Sequence, residues 1–526
     1  MNIKRAKEEI KQAIHAYLLK DEFGEYQIPN IRQRPILLIG PPGIGKTQIM
    51  EQISRECGIN LVAYTITHHT RQSAIGLPFI REKSYGGQTY SVTEYTMSEI
   101  IASVYEKIEK TGIAEGILFI DEINCVSETL APAMLQFLQY KTFGNQAVPS
   151  GWIIVAAGNP PEYNKSVRDF DLVTLDRLKR IDVEADFSIW KEYAYKQGIH
   201  SAVISYLDTK PDYFYKIETT IDGKEFATAR GWEDLSELIQ VYEALHQKID
   251  REVVHQYIQH WTIAKDFANY LELFYRYQED YQVDEILLGH ASESIFQRLK
   301  FASFDERLSL VSLLFARLSQ KFRDCYLQEQ FVTLLFGYLK QYKTSLMQQT
   351  GQIGHSSASP SPSLALSPAA TFLALVREVE STYAQEKQSE QLGKIRELTF
   401  RRVLSLLHEI SHALSPEMPS EEAFDCARTF FAREESLRQQ KITDTKLALD
   451  SAFLFMERAF GESQEMVCFV TELNIHSYAC WFIRENGCDL YYRYNKSLLL
   501  DARQQDILAD MEAIEKDLPD AVFSLS

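Results

Sequence analysis

The chain has 526 residues, of which 45% are apolar and 24% charged. That balance excludes a largely disordered polymer and allows roughly two to four domains. A formal net charge of −18, with a pI of about 5.3, repels phosphate backbones and disfavours nucleic acid as the main partner.

From Lys4 to Leu19, the spacing of Ile10, Ala13, Ile14 and Leu18 predicts a helix without an apolar signal core. Pro35–Ile39 is a short apolar run ending in a glycine-rich turn, which predicts a buried strand. Four more such runs follow, at Asn60–Tyr64, Gly116–Ile120, Trp152–Ala156 and Arg180–Val183. Helix-like stretches, Thr47–Glu56 and Ser98–Glu109 among them, lie between the runs, and the alternation predicts an α/β fold with a parallel sheet. Past Asp186 the strand runs largely stop, and Ile189–Tyr342 reads as amphipathic helix rich in Tyr and Phe. Gln348–Ala370, rich in Ser and Pro, is expected to be a flexible linker. Thr371–Ser526 returns to helical periodicity, with a short strand expected near Val467–Thr471. The cysteines, Cys57, Cys125, Cys325, Cys426, Cys468, Cys480 and Cys488, form no CxxC pair and read as reduced thiols. No apolar run reaches bilayer length, so a cytoplasmic chain without membrane contact is expected.

Two motifs carry chemistry. Residues 40–48 read Gly40, Pro41, Pro42, Gly43, Ile44, Gly45, Lys46, Thr47 and Gln48. This fits the phosphate-binding pattern G-x-x-x-x-G-K-[ST], after a predicted strand and before a predicted helix. Gly43 and Gly45 would let backbone N–H groups turn inward around phosphates, and the helix starting near Lys46 adds its dipole. Lys46 is expected to bridge the β- and γ-phosphates of ATP, and the Thr47 hydroxyl to ligate Mg²⁺. The second motif, Gly116–Glu122, is an apolar strand ending in two acids at the carboxyl edge of the sheet. Asp121 is expected to hold Mg²⁺ through its water shell, and Glu122 to orient the attacking water.

Further segments resemble known ATPases. Trp152-Ile-Ile-Val-Ala-Ala-Gly-Asn-Pro160 resembles the sensor-1 strand of AAA+ ATPases, with Asn159 at the sensor position. Leu175-Asp-Arg-Leu-Lys-Arg-Ile181 is similar to the arginine-finger segment of the MoxR-like branch, although Leu178 stands where that branch usually has an aromatic. Arg177 is the first choice for the finger and Arg180 the second. Ala227–Glu233 resembles sensor 2, which would bring Arg230 to the γ-phosphate. His68–Tyr95, with Ile75-Gly-Leu-Pro-Phe-Ile80, resembles the helix-2 insert of MoxR-like ATPases. By that resemblance it would face a ring pore with Phe79 and Tyr85.

The likeness spans residues 32–239 and implies an AAA+ core with a helical lid. It also implies a homo-oligomeric ring, of six by that analogy, and a protein client that is remodelled or matured. A partner with a von Willebrand factor A domain fits the same analogy. The expected divisions are 1–187 for the nucleotide-binding core, 188–347 for the helical lid and its extension, 348–370 for the linker, and 371–526 for a mostly helical C-terminal domain.

One motif points elsewhere. His408-Glu-Ile-Ser-His412 matches the zinc-protease pattern H-E-x-x-H, and Glu421, Glu434 and Asp489 are candidate third ligands. Helical geometry puts Val403, Leu406, Leu407, Ile410, Ala413 and Leu414 on one apolar stripe. His408, Glu409 and His412 then fall on the opposite face, beside Arg401 and Arg402. Two guanidinium groups are poor company for a metal, so a solvated helix face is the expectation. An ATP-dependent zinc protease and a nucleotide-gated scaffold or regulator remain the alternatives to a remodelling ATPase.

Overall fold

The computed structural model describes residues 1–68, 70–143, 146–163, 170–221, 223–352, 367–389 and 392–496. By Cα proximity the chain forms two compact units. One comprises residues 1–191, 210–264 and 376–404; the other comprises 192–209, 265–375 and 405–526.

Among the described residues, the first unit is built on eleven strands. They are β1 (Ile36–Ile39), β2 (Asn60–Thr65), β3 (Pro78–Tyr85), β4 (Gln88–Tyr95), β5 (Gly116–Asp121), β6 (Thr142–Phe143), β7 (Gln146–Ala147), β8 (Trp152–Gly158), β9 (Lys179–Asp182), β10 (Lys216–Thr220) and β11 (Gly223–Ala227). Five of them make one parallel sheet in the order β2-β5-β8-β1-β9. All five overlap the runs read in the sequence; the interior strands β5, β8 and β1 are apolar on both faces because both are covered, whereas edge strand β9 buries only Ile181 among Lys179, Arg180 and Asp182.

Alternation along each strand divides the core into two layers. Ile36, Leu38, Ile117, Phe119, Ile153 and Val155 face one layer with Ala6, Ile10 and Ile14 of α1 (Ile3–Leu18) and Met50 and Ile53 of α2 (Lys46–Cys57). Leu37, Leu118, Ile120, Ile154 and Ala156 face the other with Ile100, Ile101 and Val104 of helix Glu99–Thr111 and Met134 and Phe137 of helix Ala131–Tyr140. The result is a helix–sheet–helix sandwich whose loops after β1, β5 and β8 emerge at one edge.

The hairpins were not legible as strands. β3 pairs with β4 across the Gly86-Gly87 turn, and β10 pairs with β11. Neither is an apolar run, since both are largely exposed and carry charged residues such as Arg81, Lys83, Glu94, Lys216, Glu218 and Lys224. Phe79, Ile80, Tyr85, Tyr90 and Tyr95 of the first hairpin are all exposed.

The second unit is helical where described. The 49-residue helix Phe304–Gln352 and the 41-residue helix Ser420–Phe460 run antiparallel. Cys325 meets Thr445, Glu329 pairs with Arg438, and Phe336 meets Phe431 in descending register. The strand expected near Val467–Thr471 is corrected to helix Gln464–Ile475. Its buried Met466, Phe469, Val470 and Leu473 follow helical spacing, which outweighs the β-branched composition of the stretch. Of the expected linker, Gln348–Gln352 end one helix and Pro368–Ala370 begin the next; residues 353–366 lie outside the described residues.

His408, Glu409 and His412 are exposed on helix Lys394–Ala413, and Val403, Leu406, Leu407, Ile410 and Leu414 are buried. Ala413, expected on the apolar stripe, is exposed. Glu409 lies 3.8 Å from the Arg433 guanidinium, and Glu434 accepts a hydrogen bond from buried Gln328. Among the described residues, no three His, Cys, Asp or Glu side chains gather as a metal site. Among the same residues, no single helix is long and apolar enough to cross a membrane. All seven cysteines are free thiols.

Candidate active site

The loop between β1 and α2 turns at Gly43 and Gly45, where φ is +77° and +91°. A side chain would strain both positions, so glycine here is a requirement of the turn. Gly45 is the N-cap of α2, and the first turn of that helix opens toward the loop. Gln48 is exposed and brings its side-chain oxygen back over Gly45, and Ile44 packs toward the core below.

Lys46 is 8% exposed. Its ammonium donates to Gly40 O at 2.7 Å, Pro41 O at 2.8 Å and Asn159 Oδ1 at 2.8 Å. Burial pushes the Lys46 ammonium down to about 8; Asp121 and Glu122 pull against this, and Arg230 adds to it. A triphosphate would supply negative charge that pulls it back up. The sign follows from that. ATP binding should take up a proton near and above pH 8, and affinity should fall as pH rises from 8 toward 10.5. Calorimetric titration in buffers of different ionisation enthalpy measures the uptake. An affinity flat across that range would contradict it.

The Thr47 hydroxyl donates to Asp121 Oδ2 at 3.0 Å. A hydroxyl and a carboxylate meeting at a strand tip are hard oxygen donors of the kind Mg²⁺ takes, so the residues present fit that ion. Glu122 follows with φ +57°, an uncommon conformation for a non-glycine residue. Its carboxylate accepts from the Thr67 hydroxyl at 3.1 Å, and its N–H donates to Asp121 Oδ1 at 2.9 Å. β8 delivers Asn159 to Lys46 from the neighbouring strand tip.

Arg230 stands in the first turn of helix Ala229–Ala244, capped by Thr228, whose hydroxyl accepts from Gly231 N–H. A Cβ added at Gly43 would lie 3.5 Å from the Cβ atoms of both Thr228 and Arg230. The helix start therefore sits against the loop, and Arg230 is exposed there.

Arg177 and Arg180 lie apart from these groups. Lys179 pairs with Ile36 at the amino end of β1, so Arg177 is separated from the loop after Ile39 by roughly 10 Å or more along the strands. Arg177 is exposed and close enough to Asp171 to help lower its carboxyl, after that group's hydrogen bonds to Thr174. Arg180 is held by Asp182 on the same strand, at 2.8 Å. Phe79 and Tyr85 are on the exposed hairpin.

A cleft of about 510 Å³ opens beside Pro41, lined by Pro160, Tyr163, Val183, Phe187, Phe214 and Tyr215 among others. Four aromatic rings in a space of that size can stack on a purine. The Tyr215 hydroxyl donates to Pro42 O at 3.0 Å, and Lys224 Nζ to Glu162 O at 2.8 Å. These residues, and Thr67, escaped sequence reasoning because they come from separate loops and carry no motif spacing.

Residues 36–177 match the family described as ATPase family associated with various cellular activities (AAA). A comparison with curated proteins gives no match. The matched span begins at β1 and takes in the phosphate loop, Asp121, Glu122 and Asn159. With the five-stranded parallel sheet flanked by helices, residues 36–177 form an AAA ATPase domain, and the chain carries an AAA+ core joined to a mostly helical remainder.

Proposed function

We propose that the chain is a Mg²⁺-dependent AAA+ ATPase of the MoxR-like kind, which couples ATP hydrolysis to remodelling or maturation of a partner protein. The observation that carries this reading is the meeting of Lys46, Thr47, Asp121 and Asn159 at the glycine-turned loop, with Glu122 beside them.

ATP is the substrate. Loop N–H groups and Lys46 would bind its β- and γ-phosphates, and the aromatic cleft its base. Thr47 and Asp121 would hold Mg²⁺, which supplies charge neutralisation on the triphosphate when bound. Glu122 would accept a hydrogen bond from the attacking water. The water oxygen forms a bond to the γ-phosphorus, and the β–γ bridging oxygen leaves with ADP. Asn159 would hold that water or the γ-phosphate, and Arg230 would reach the γ-phosphate from the capped helix.

Arg177 supports a ring. It stands at the amino end of the sheet, away from its own chain's loop, so a finger role requires a neighbouring copy. Arg180 is already engaged by Asp182. Arg177→Ala is expected to lower turnover by about 10³-fold or more with ATP binding intact, and Arg180→Ala by far less. Mixing Arg177→Ala with Lys46→Ala chains should recover part of the rate, because each supplies what the other lacks. No recovery and a silent Arg177→Ala would remove the finger from this residue. Six copies follow only from the MoxR-like resemblance, as does a von Willebrand factor A partner. The exposed aromatic hairpin, as that family's insert, would contact the client.

The client role is tested by capture. Glu122→Gln chain held in ATP should retain a protein that exchange into ADP releases. If its ATP and ADP forms retain the same proteins, remodelling is the wrong output.

A further inference from the structure

Asn124 is 5% exposed and lies in the short turn Ile123–Cys125, directly after Glu122. Its side-chain amide makes a two-way pair with the main chain of Asn159. Nδ2 donates to Asn159 O at 2.7 Å, and Oδ1 accepts from Asn159 N–H at 3.3 Å. The last register pair between β5 and β8 is Ile120 with Ala156. Beyond it the β5 chain leaves the sheet through the left-handed Glu122. The Asn124 side chain thus supplies, to the residue just after β8, the ladder-like contacts that the β5 main chain no longer makes.

The fit is close. A Cβ at Gly158 would stand 2.6 Å from Asn124 Oδ1. Any side chain there would push the amide off Asn159, so this glycine serves a close approach. The Asn159 side chain is engaged as well: its Oδ1 accepts from Lys46 Nζ at 2.8 Å.

We propose that Asn124 is a positioning residue for ATP hydrolysis: it locks the Asn159 peptide to the turn that carries Glu122. The sensor amide, the Lys46 ammonium and the Glu122 carboxylate are thereby held in one frame. This rests on the role given above to Asn159. Nothing in Asn124 itself reaches ATP; it acts through Asn159.

Asn124→Ala is expected to lower kcat by about 10- to 100-fold, because a displaced water-positioning group costs on that order. KM and the affinity for a fluorescent ATP analogue should stay near wild type. Acting through one residue, the effects should not multiply: Asn124→Ala/Asn159→Ala should turn over as Asn159→Ala alone. Asn124→Asp keeps the acceptor and loses the donor to Asn159 O until its carboxyl is protonated. Its kcat relative to wild type should therefore rise as the pH falls, a profile that a packing role would not give.

Wild-type turnover by Asn124→Ala, or losses that multiply in the double variant, would overturn the proposal. A wild-type rate in Asn159→Ala removes the role of Asn159 itself, and is recognised without touching Asn124. Should Asn124→Ala fail to fold, Gly158→Ala crowds the same contact from the strand side. It is expected to show the same selective loss of kcat, and wild-type turnover there also overturns the proposal.

Discussion

Lys46→Ala is expected to weaken ATP binding by roughly 30-fold or more, the loss that follows when one side of a buried charge pair is removed. The ammonium is enclosed and holds Gly40 O, Pro41 O and Asn159 Oδ1 together. Bound triphosphate would exchange with those acceptors for the same three donors, and alanine offers none. The fold should survive the change. Burial already opposes the charged form of Lys46, so deleting it relieves a desolvation cost that offsets the donor lost to the Gly40 and Pro41 carbonyls. Titration with a fluorescent ATP analogue, alongside a thermal melt, reads both. Equal affinity in wild type and variant would mean that nucleotide does not use this loop.

Glu122→Gln is expected to leave ATP binding near wild type and lower kcat by about 10²- to 10⁴-fold. The amide oxygen of Gln can still accept from Thr67, and the left-handed backbone costs Gln what it costs Glu. What disappears is the negative charge that makes the group a proton acceptor. Steady-state phosphate release with Mg²⁺ and a binding titration separate the two effects. If turnover is slow in wild type and the same in the variant, ATP acts as a gate on a scaffold rather than as fuel.

The sheet and its active edge were legible in the sequence because both obey short-range rules. The interior strands, covered by helices on both sides, must be apolar on both faces, and a loop that wraps phosphate must place glycine at left-handed positions. Three strands extend beyond their runs by a residue or two, to Thr65, Asp121 and Gly158, because polar or glycine residues close them. The two hairpins were illegible for the opposite reason. Their exposed faces carry Lys, Glu and Thr, so no hydrophobic period marks them. Val467–Thr471 misled because β-branched residues are common in strands, and only the spacing of Met466, Phe469, Val470 and Leu473 across the whole helix reveals the buried face.

In the site, Lys46, Thr47 and Asp121 could be read because their chemistry fixes their spacing. Asn124, Thr67 and Tyr215 could not. Each meets its partner across at least 35 residues of chain, at a point set by the strand order. Arg230 was readable only by resemblance; that it begins a helix seated on Gly43 required the fold.

Tyr215, just before β10, and Lys224, on β11, both end on peptide carbonyls beside the cleft, those of Pro42 and Glu162. Main-chain oxygens survive any substitution at those two residues, so this fastening is insensitive to drift in their side chains. It is sensitive to rotation of the peptides themselves. A tilt of the Pro42 carbonyl would strain its bond to a phenol 173 residues away in the chain, so the cradle peptide and the approach to β10 are mechanically tied.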